Sequence, residues 1–438
     1  MTVLILSHER STNKAEGFLH AYGDNCTLVV DYMPDMDEKP YIAYTNNIIV
    51  DKYFDIVNIT NQIKTVEKIW CVSENLLPLQ AQLESYYGIQ NLTPYAAEVL
   101  SNKQRFDDYC RSIGLEDFVP ESITPTFHNH LSKFKNKEIF SKPDIGTGSN
   151  VFFPGDNQNT PSIEYRRWNN RHHFLKYIKD KKIHNKFFEL NQSGIYSDRF
   201  AFKQCKIMFQ EYFWSEKPTV APYGHVHNGK VNILFYVNCS KINFGETVDP
   251  LSDPIESHRT SRTSDIGRER AVWITMPNEI DSDFHNKSLY FLQTITDKLK
   301  IQNLFFAGPD FHVIGDEMKA IDFNPRPGQF INVLNRINNH TIIDNMLLGK
   351  QVVIEKKAMY ACPILKPGII NEVKNVETVK PWLTEDHTKL QKGVVIPEFQ
   401  HLFNKAFNLT LYIDGKNEQE LFERYKKLNQ LLQECIIY

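Results

Sequence analysis

Asp322-Phe323-Asn324-Pro325-Arg326-Pro327-Gly328 is the stretch whose reading decides the fold. It closes a run with strand composition, Met318–Asn324, and a second such run, Asn303–Ile314, precedes it across Gly315-Asp316-Glu317. Asp322 and Asn324 are two apart on a strand, so both point to one face. A turn near 315–318 brings Asp310 opposite them on the neighbouring strand. Three hard oxygen ligands with an arginine just beyond suit magnesium bridging nucleotide phosphates. A wet polar sheet face is the plainer alternative. It leaves the punctuation of Ala307-Gly308-Pro309 and Pro325-Arg326-Pro327-Gly328 without a purpose, because Pro and Gly weaken a strand.

Two further pieces lie upstream. In Lys142-Pro143-Asp144-Ile145-Gly146-Thr147-Gly148-Ser149 a lysine ends a strand and a loop of small residues follows. Such a loop lets backbone N–H groups crowd round phosphate oxygens, with the Ser149 hydroxyl as a further donor. No Lys-Ser/Thr follows the last glycine, so this is not a Walker loop, and alone it reads better as a Gly-rich hairpin turn. Gln210-Glu211-Tyr212-Phe213 ends the strand Ile207–Phe213, where a departing chain can offer its backbone to a purine edge beside an aromatic wall. Further upstream, Ser101-Asn102-Lys103-Gln104 reads as a capping box, with Ser101 as N-cap and Gln104 three positions on. Phe106, Tyr109, Cys110 and Ile113 follow at helical spacing and Gly114 closes the helix. Lys103 then sits in the first turn, where its charge opposes the helix dipole and invites an anion nearby.

Around these pieces the chain alternates. Val3–Leu6, Thr27–Asp31, Ile48–Val50 and Lys68–Val72 read as strands, with a helix over Thr12–Tyr22 and another from Ser73-Glu74 to Gly88: the grammar of a parallel sheet. Ser7-His8-Glu9-Arg10 stands where a dinucleotide site would need GxGxxG, which excludes NAD from this layer. Thr219–Val226 and Val231–Asn238 form a hairpin about Asn228-Gly229. An insertion at about 156–203 carries Tyr165-Arg166-Arg167-Trp168 and Arg171-His172-His173-Phe174; a solvated helix with an apolar face accounts for it better than a nucleic-acid patch. Leu289, Leu292, Ile295 and Leu299 mark a helix, and the chain closes with Leu409–Ile413, a turn at Asp414-Gly415 and a helix over about 418–433.

The 438 residues carry 50 Lys and Arg against 53 Asp and Glu, a net charge of −3, with 41% hydrophobic residues. That balance suits about three globular domains and supplies no field to hold nucleic acid. Seven scattered cysteines without a CxxC pair fit a reducing compartment, where each is a small buried hydrophobe. No apolar run is long enough to cross a membrane. A cytoplasmic protein is expected.

Taken in order, Asn-Lys-x-x-Phe, Lys-Pro-x-x-Gly-x-Gly-Ser, Gln-Glu-Tyr and Asp…Asp-x-Asn-x-Arg-Pro-Gly resemble the ATP-grasp superfamily over roughly residues 95–350. The resemblance implies an α/β (α+β) chain of three domains. These are an N-terminal Rossmann-like parallel-sheet domain (1–95), a two-lobed ATP-grasp region with antiparallel sheets (96–350, its mobile lid lobe about 138–213), and a small C-terminal α/β cap (351–438). It implies that Lys103 and Lys142 bind the nucleotide phosphates and that Gly146, Gly148 and Ser149 form a lid over them. Gln210, Glu211, Tyr212 and Phe213 would hold the adenine, with Glu216 at the ribose. Asp310, Asp322 and Asn324 would coordinate two magnesium ions, manganese being the alternative, and Arg326 would steady the transferring phosphate or the carboxylate. The family usually has glutamate where Asp322 stands, and Glu216 falls out of the commonest register.

The implied activity is that of an ATP-dependent carbon–nitrogen ligase. A carboxylic acid, an amino acid foremost, becomes an acyl phosphate that an amine then attacks, with release of ADP and phosphate. The alternatives are a thiol or carboxyphosphate acceptor, or a nucleotide-binding module without turnover. Small-molecule acid and amine are then the partners, without nucleic acid or membrane, and a homodimer is open. For the acid, Arg259 and Arg262 in the polar loop 247–270 could clamp a carboxylate, or simply be solvated. Glu74, at the carboxyl end of a strand, could face substrate, although complementing a helix dipole is the plainer role. His225-Val226-His227 lacks a third metal ligand and reads as structural.

Overall fold

The computed structural model describes residues 2–36, 39–145, 166–196, 204–213, 219–242, 269–363, 365–383, 390–396 and 411–438. The chain opens with β1 (Val3–Leu6), α1 (Glu16–Tyr22), β2 (Cys26–Val30), β3 (Ile48–Val50), α2 (Ile56–Gln62), β4 (Lys68–Cys71) and α3 (Leu77–Tyr87). The four strands pair in parallel in the order β3-β2-β1-β4. Every side chain of β1 is buried. Leu4 and Leu6 pack toward α2 and α3, Val3 and Ile5 toward α1, as the two-residue period of a strand requires when both faces of a sheet are covered. The expected helix over 12–22 is a 3₁₀ turn, Glu9–Lys14, followed by α1.

Two short helices, α4 (Pro94–Ser101) and α5 (Lys103–Ser112), lead out of this layer. They correct the expected capping box. Because α4 runs through Ser101, the break falls one residue later, and Asn102 caps α5 by accepting the Arg105 N–H at 2.9 Å. Gln104 instead reaches Asp108 and Ser122.

The second sheet has the order β5-β10-β6-β7, from β5 (Ser122–Ile123), β6 (Ile139–Pro143), β7 (Arg166–Trp168) and, after the insertion, β10 (Ile207–Glu211). The insertion contributes two helices rather than one, α6 (Arg171–Asp180) and α7 (His184–Ser193), and a small pair, β8 (Ile195–Tyr196) and β9 (Gln204–Cys205). Trp168, Phe174, Ile178, Phe187 and Phe209 form their shared core. The basic–aromatic stretch is thus a packed layer, in which Arg167 pairs with Glu138 at 2.7 Å.

The third sheet is the largest. It runs β16-β15-β11-β12-β13-β17-β21, with β14 also paired to β11. Its strands are β11 (Thr219–His227), β12 (Lys230–Ile242), β13 (Glu269–Thr275), β14 (Asn303–Ala307), β15 (Asp310–Ile314), β16 (Glu317–Asp322) and β17 (Lys357–Cys362). After three short strands, β18 (Gly368–Ile369), β19 (Glu372–Val373) and β20 (Val395–Ile396), comes β21 (Leu411–Gly415). The β11–β12 hairpin turns at Asn228 (φ 51°) and Gly229 (φ 76°) as expected. Asp414 and Gly415 belong to β21 and not to a turn. The run expected as one strand over 303–314 is two, broken at Gly308-Pro309, and both pair with β11.

Helices α8 (Ser282–Leu299), α9 (Gln329–Ile337), α10 (Thr341–Leu347) and α11 (Glu418–Cys435) pack on the sheets. Residues of α1 share a core with α9, α10 and β12, and Phe305 meets Phe18 and Trp70 edge-on at 5.0 Å from each. The carboxyl edge of the parallel sheet is thereby held against the loop that follows β16. Cys26, Cys71, Cys110, Cys205, Cys239 and Cys435 are buried and form no disulfide, as expected.

Candidate active site

Asp310 and Asp322 are direct cross-strand partners. A register shift between Asp310 and Phe311 puts them opposite one another. Strand β16 ends at Asp322, so Asn324 is not two residues along the same strand, as the alternation predicted. It lies in the loop, where its carbonyl accepts the N–H of Ala307 at 2.9 Å and of Arg326 at 2.8 Å. The three oxygen-bearing side chains still gather at one end of the β15–β16 pair, held by the backbone of the broken strand.

Cations surround them. The Lys103 ammonium lies 3.1 Å from Asp322 Oδ1 and 3.7 Å from Glu74 Oε1. Arg326 Nε lies 3.3 Å from Glu74 Oε2, and its Nη2 donates to Asn324 Oδ1 at 2.9 Å. Glu74, Lys103, Asp322, Asn324 and Arg326 are each at most 9% exposed, so these charges act on one another with little screening. The dipole-complementing role expected for Glu74 is therefore the lesser one. The residue does open a 3₁₀ turn, but its carboxylate, which accepts no hydrogen bond, faces the two cations. Helix α5 aims Lys103 into this cluster from its first position, tied down by the Lys103 N–H to the Asp144 carbonyl at 2.7 Å. Asp144 itself accepts from Asn102 and from the Lys206 N–H.

Glu74, Lys103 and Asp322 line one pocket with Phe106 and Asp107, and a second pocket adjoins it through Ile321 and Asp322. This second pocket lies between Phe140, Lys142, Gln210, Glu211, Tyr212, Phe213, Asp310 and His312. Lys142 is 1% exposed, and its ammonium donates to the Ile321 carbonyl at 2.5 Å. Gln210 donates to Asp107 Oδ2 at 3.3 Å, while Glu211 pairs with Lys137 at 2.9 Å. The Arg167 guanidinium covers the Tyr212 ring at 4.5 Å. His312 donates from Nδ1 to the Phe213 carbonyl at 2.8 Å, and its Nε2 meets Thr219 Oγ1 at 3.3 Å.

Gly146, Gly148, Ser149, Glu216, Arg259 and Arg262 lie outside the described residues. The sequence reading missed Asp107 and His312. Asp107 follows Lys103 by four positions, one turn on along the same helix face, which was the available signal. Burial pushes its carboxyl up to about 6, with the Lys142 cation working the other way. His225 is buried on β11, and burial pushes it down to about 4.

No family model matches the chain, and no curated protein matches it in sequence. Solved structures do match over the whole length. An L-amino acid ligase from Bacillus licheniformis superposes with a TM-score of 0.62 at 12% identity, covering 100% of this chain and 98% of the other. The fold is ATP-grasp. A phosphoribosylglycinamide synthetase from Anaerococcus prevotii follows at TM-score 0.55 and 11% identity, with 100% and 98% covered. An N5-carboxyaminoimidazole synthetase from Staphylococcus aureus, complexed with ADP, matches at 0.54 and 12%, with 98% and 97% covered.

The ATP-grasp fold implies magnesium, and the residues present fit it. Asp310 and Asp322 are cross-strand partners, so two acidic residues stand at opposed positions that a cation would suit. With the Asn324 amide they form the hard-oxygen set such an ion takes. Among the described residues no cluster of three or more His, Cys, Asp or Glu side chains competes as a metal centre, and no helix is long and apolar enough to cross a membrane.

Proposed function

We propose that the protein is an ATP-dependent ligase that activates a carboxylic acid, foremost an amino acid, as an acyl phosphate and couples it to an amine. The observation that carries this reading is the junction of the two pockets. A slot walled by Phe140, Tyr212 and Phe213 contains Lys142, and meets at Asp322 a cluster of Lys103, Arg326 and Glu74. The first suits a purine with its phosphates leading inward. The second suits an acid brought up to the terminal phosphate.

In this reading one carboxylate oxygen of the acid attacks the γ-phosphorus, and the bond to the bridging oxygen breaks to release ADP. The amine nitrogen then attacks the acyl carbon, the carbon–oxygen bond breaks, phosphate leaves with the acid's former oxygen, and the nitrogen loses a proton. The obstacle is charge, since two anions must meet. Lys142 and Lys103 bind and orient the triphosphate, and Arg326 takes up charge on the transferring group. Asp310, Asp322 and Asn324 would hold magnesium, which neutralises phosphate charge when bound. Glu74 is free to receive a substrate ammonium once a phosphate engages Lys103. The full-length likeness to an L-amino acid ligase supports an amino acid on the acid side. The test is ADP release by the purified protein with Mg-ATP and a panel of amino acids, with and without amine acceptors. Release that needs an acid and an amine together is expected; a nucleotide-dependent signal indifferent to both would reject the ligase.

A further inference from the structure

Strand β10 is paired on both sides, with Gln210 opposite Ser122 of β5 and Phe140 of β6. Its backbone is therefore fixed, and only the side-chain torsions of Gln210 are left to set. The same register puts Met208 opposite Lys142. Side chains alternate along a strand, and Phe209 lies in the core that this sheet shares with Trp168 and Phe174. Gln210 and Lys142 thus stand on the opposite face, and both line the slot with Phe140. Glu211, on the Phe209 side, turns to Lys137 at 2.9 Å.

Asp107 decides which end of the Gln210 amide faces the slot. It is buried on α5 and lines the neighbouring pocket with Lys103 and Asp322. Its Oδ2 accepts a hydrogen bond from Gln210 Nε2 at 3.3 Å. Burial pushes the Asp107 carboxyl up to about 6, against the pull of the Lys142 cation, so at about pH 8 it is ionised and can only accept. An acceptor-only partner holds the NH₂ end of an amide and leaves the oxygen as the end offered to the slot. A glutamine without such a partner could turn either end. Between the walls of Phe140, Tyr212 and Phe213, an amide oxygen calls for a donor on the edge of a flat ring. An exocyclic amino group supplies one, whereas an oxo group in its place sets oxygen against oxygen and leaves both unpaired.

We propose that Asp107 is a positioning residue for base selection. By holding the Gln210 amide nitrogen it turns the amide oxygen to the slot, which then takes a purine with an exocyclic amino group in preference to one with an oxo group there. The inference rests on the nucleotide reading of the slot. It adds a residue that acts through Gln210 rather than on the nucleotide.

Calorimetry with magnesium and either ADP or inosine diphosphate, which differ at that edge of the base, tests it at the same pH. The wild-type protein binds ADP about tenfold or more tightly than inosine diphosphate, the worth of one hydrogen bond against an unpaired acceptor. In Asp107→Asn the new amide can donate to the Gln210 oxygen and reverse it, and the ratio of the two affinities collapses toward one. Gln210→Leu has the same effect, and adding Asp107→Asn to it changes the ratio no further. Circular dichroism checks the fold, and Asp107→Ser replaces the asparagine variant if that one does not fold. A wild-type ratio in the Asp107 variant overturns the proposal even where both affinities change together, because a shared change marks a carboxylate that only balances Lys142. Equal binding of the two diphosphates by the wild-type protein overturns it as well. Binding of neither is a separate failure, which removes the nucleotide reading and this inference with it.

Discussion

Lys103 stands at the first position of α5, against the helix dipole, and the structure supplies the reason in Asp322 at 3.1 Å and Glu74 at 3.7 Å. The sequence conflict was legible as a demand for an anion; the identity of the anion was not, because Glu74 and Asp322 come from segments far apart in the chain. The metal assignment is tested at this scale. Asp310→Ala or Asn324→Ala removes one of three hard ligands, and Mg²⁺-dependent ADP release should fall by at least about a hundredfold while the far-ultraviolet circular dichroism stays native. Wild-type rates in either variant, with metal dependence unchanged, would remove the assignment. Lys142→Ala should weaken ATP binding in calorimetry, since a buried ammonium facing the slot is lost; an unaltered affinity would detach Lys142 from the nucleotide.

At the scale of elements, the chain's periodicities located most strands and helices, and failed where a tertiary contact overrode a local signal. The capping box at Ser101 is sound by spacing, but α4 extends through that residue and passes the cap to Asn102. The strand over 303–314 reads as continuous because both halves are apolar, whereas Gly308-Pro309 lets the chain leave β14 and rejoin the same neighbour as β15. The loop carrying Arg326 depends on a close approach of the same kind. A Cβ on Gly328 would meet the Tyr223 ring at 2.3 Å, and that ring is stacked on Phe235 at 5.3 Å and cannot easily retreat. Gly328→Ala should therefore destabilise the protein by about 1–3 kcal/mol in urea denaturation and lower turnover by shifting Arg326. Unchanged stability together with unchanged turnover would show that the loop adapts freely. In α3, Glu84 is buried and accepts from Gln80, Asn91 and the Leu92 N–H, yet burial outweighs these and pushes its carboxyl from the ordinary 4.5 up to about 7. A raised carboxyl binds its proton more tightly when folded, so its contribution is full below pH 4.5 and is lost as pH rises through 7. The shift corresponds to about 3 kcal/mol. Stability measured by denaturation should decline over that window, and the decline should flatten in Glu84→Gln; identical slopes would exclude Glu84 as its source.

For the whole molecule, the parallel layer, the antiparallel sheets and the terminal strand–helix pair were legible because each follows from a two-residue or 3.6-residue period bounded by turns. The meeting of the layers was not. Phe18 and Trp70 pack on Phe305, and Asn332 grips the backbone of residues 13–17. The carboxyl edge of the first sheet also brings Glu74 to a cluster that the motifs had built only from Lys103, Asp310, Asp322, Asn324 and Arg326. The candidate site is assembled from distant parts of the chain, which is why local pattern showed its separate pieces and not their meeting. The central claim is that a carboxylate oxygen bonds to the γ-phosphorus before an amine displaces it. Its most direct test uses the amino acid that drives ADP release, labelled with ¹⁸O in its carboxylate, and mass spectrometry of the phosphate set free during coupling. The account predicts one ¹⁸O in each phosphate released. Phosphate free of label, formed while the amide product accumulates, would contradict it.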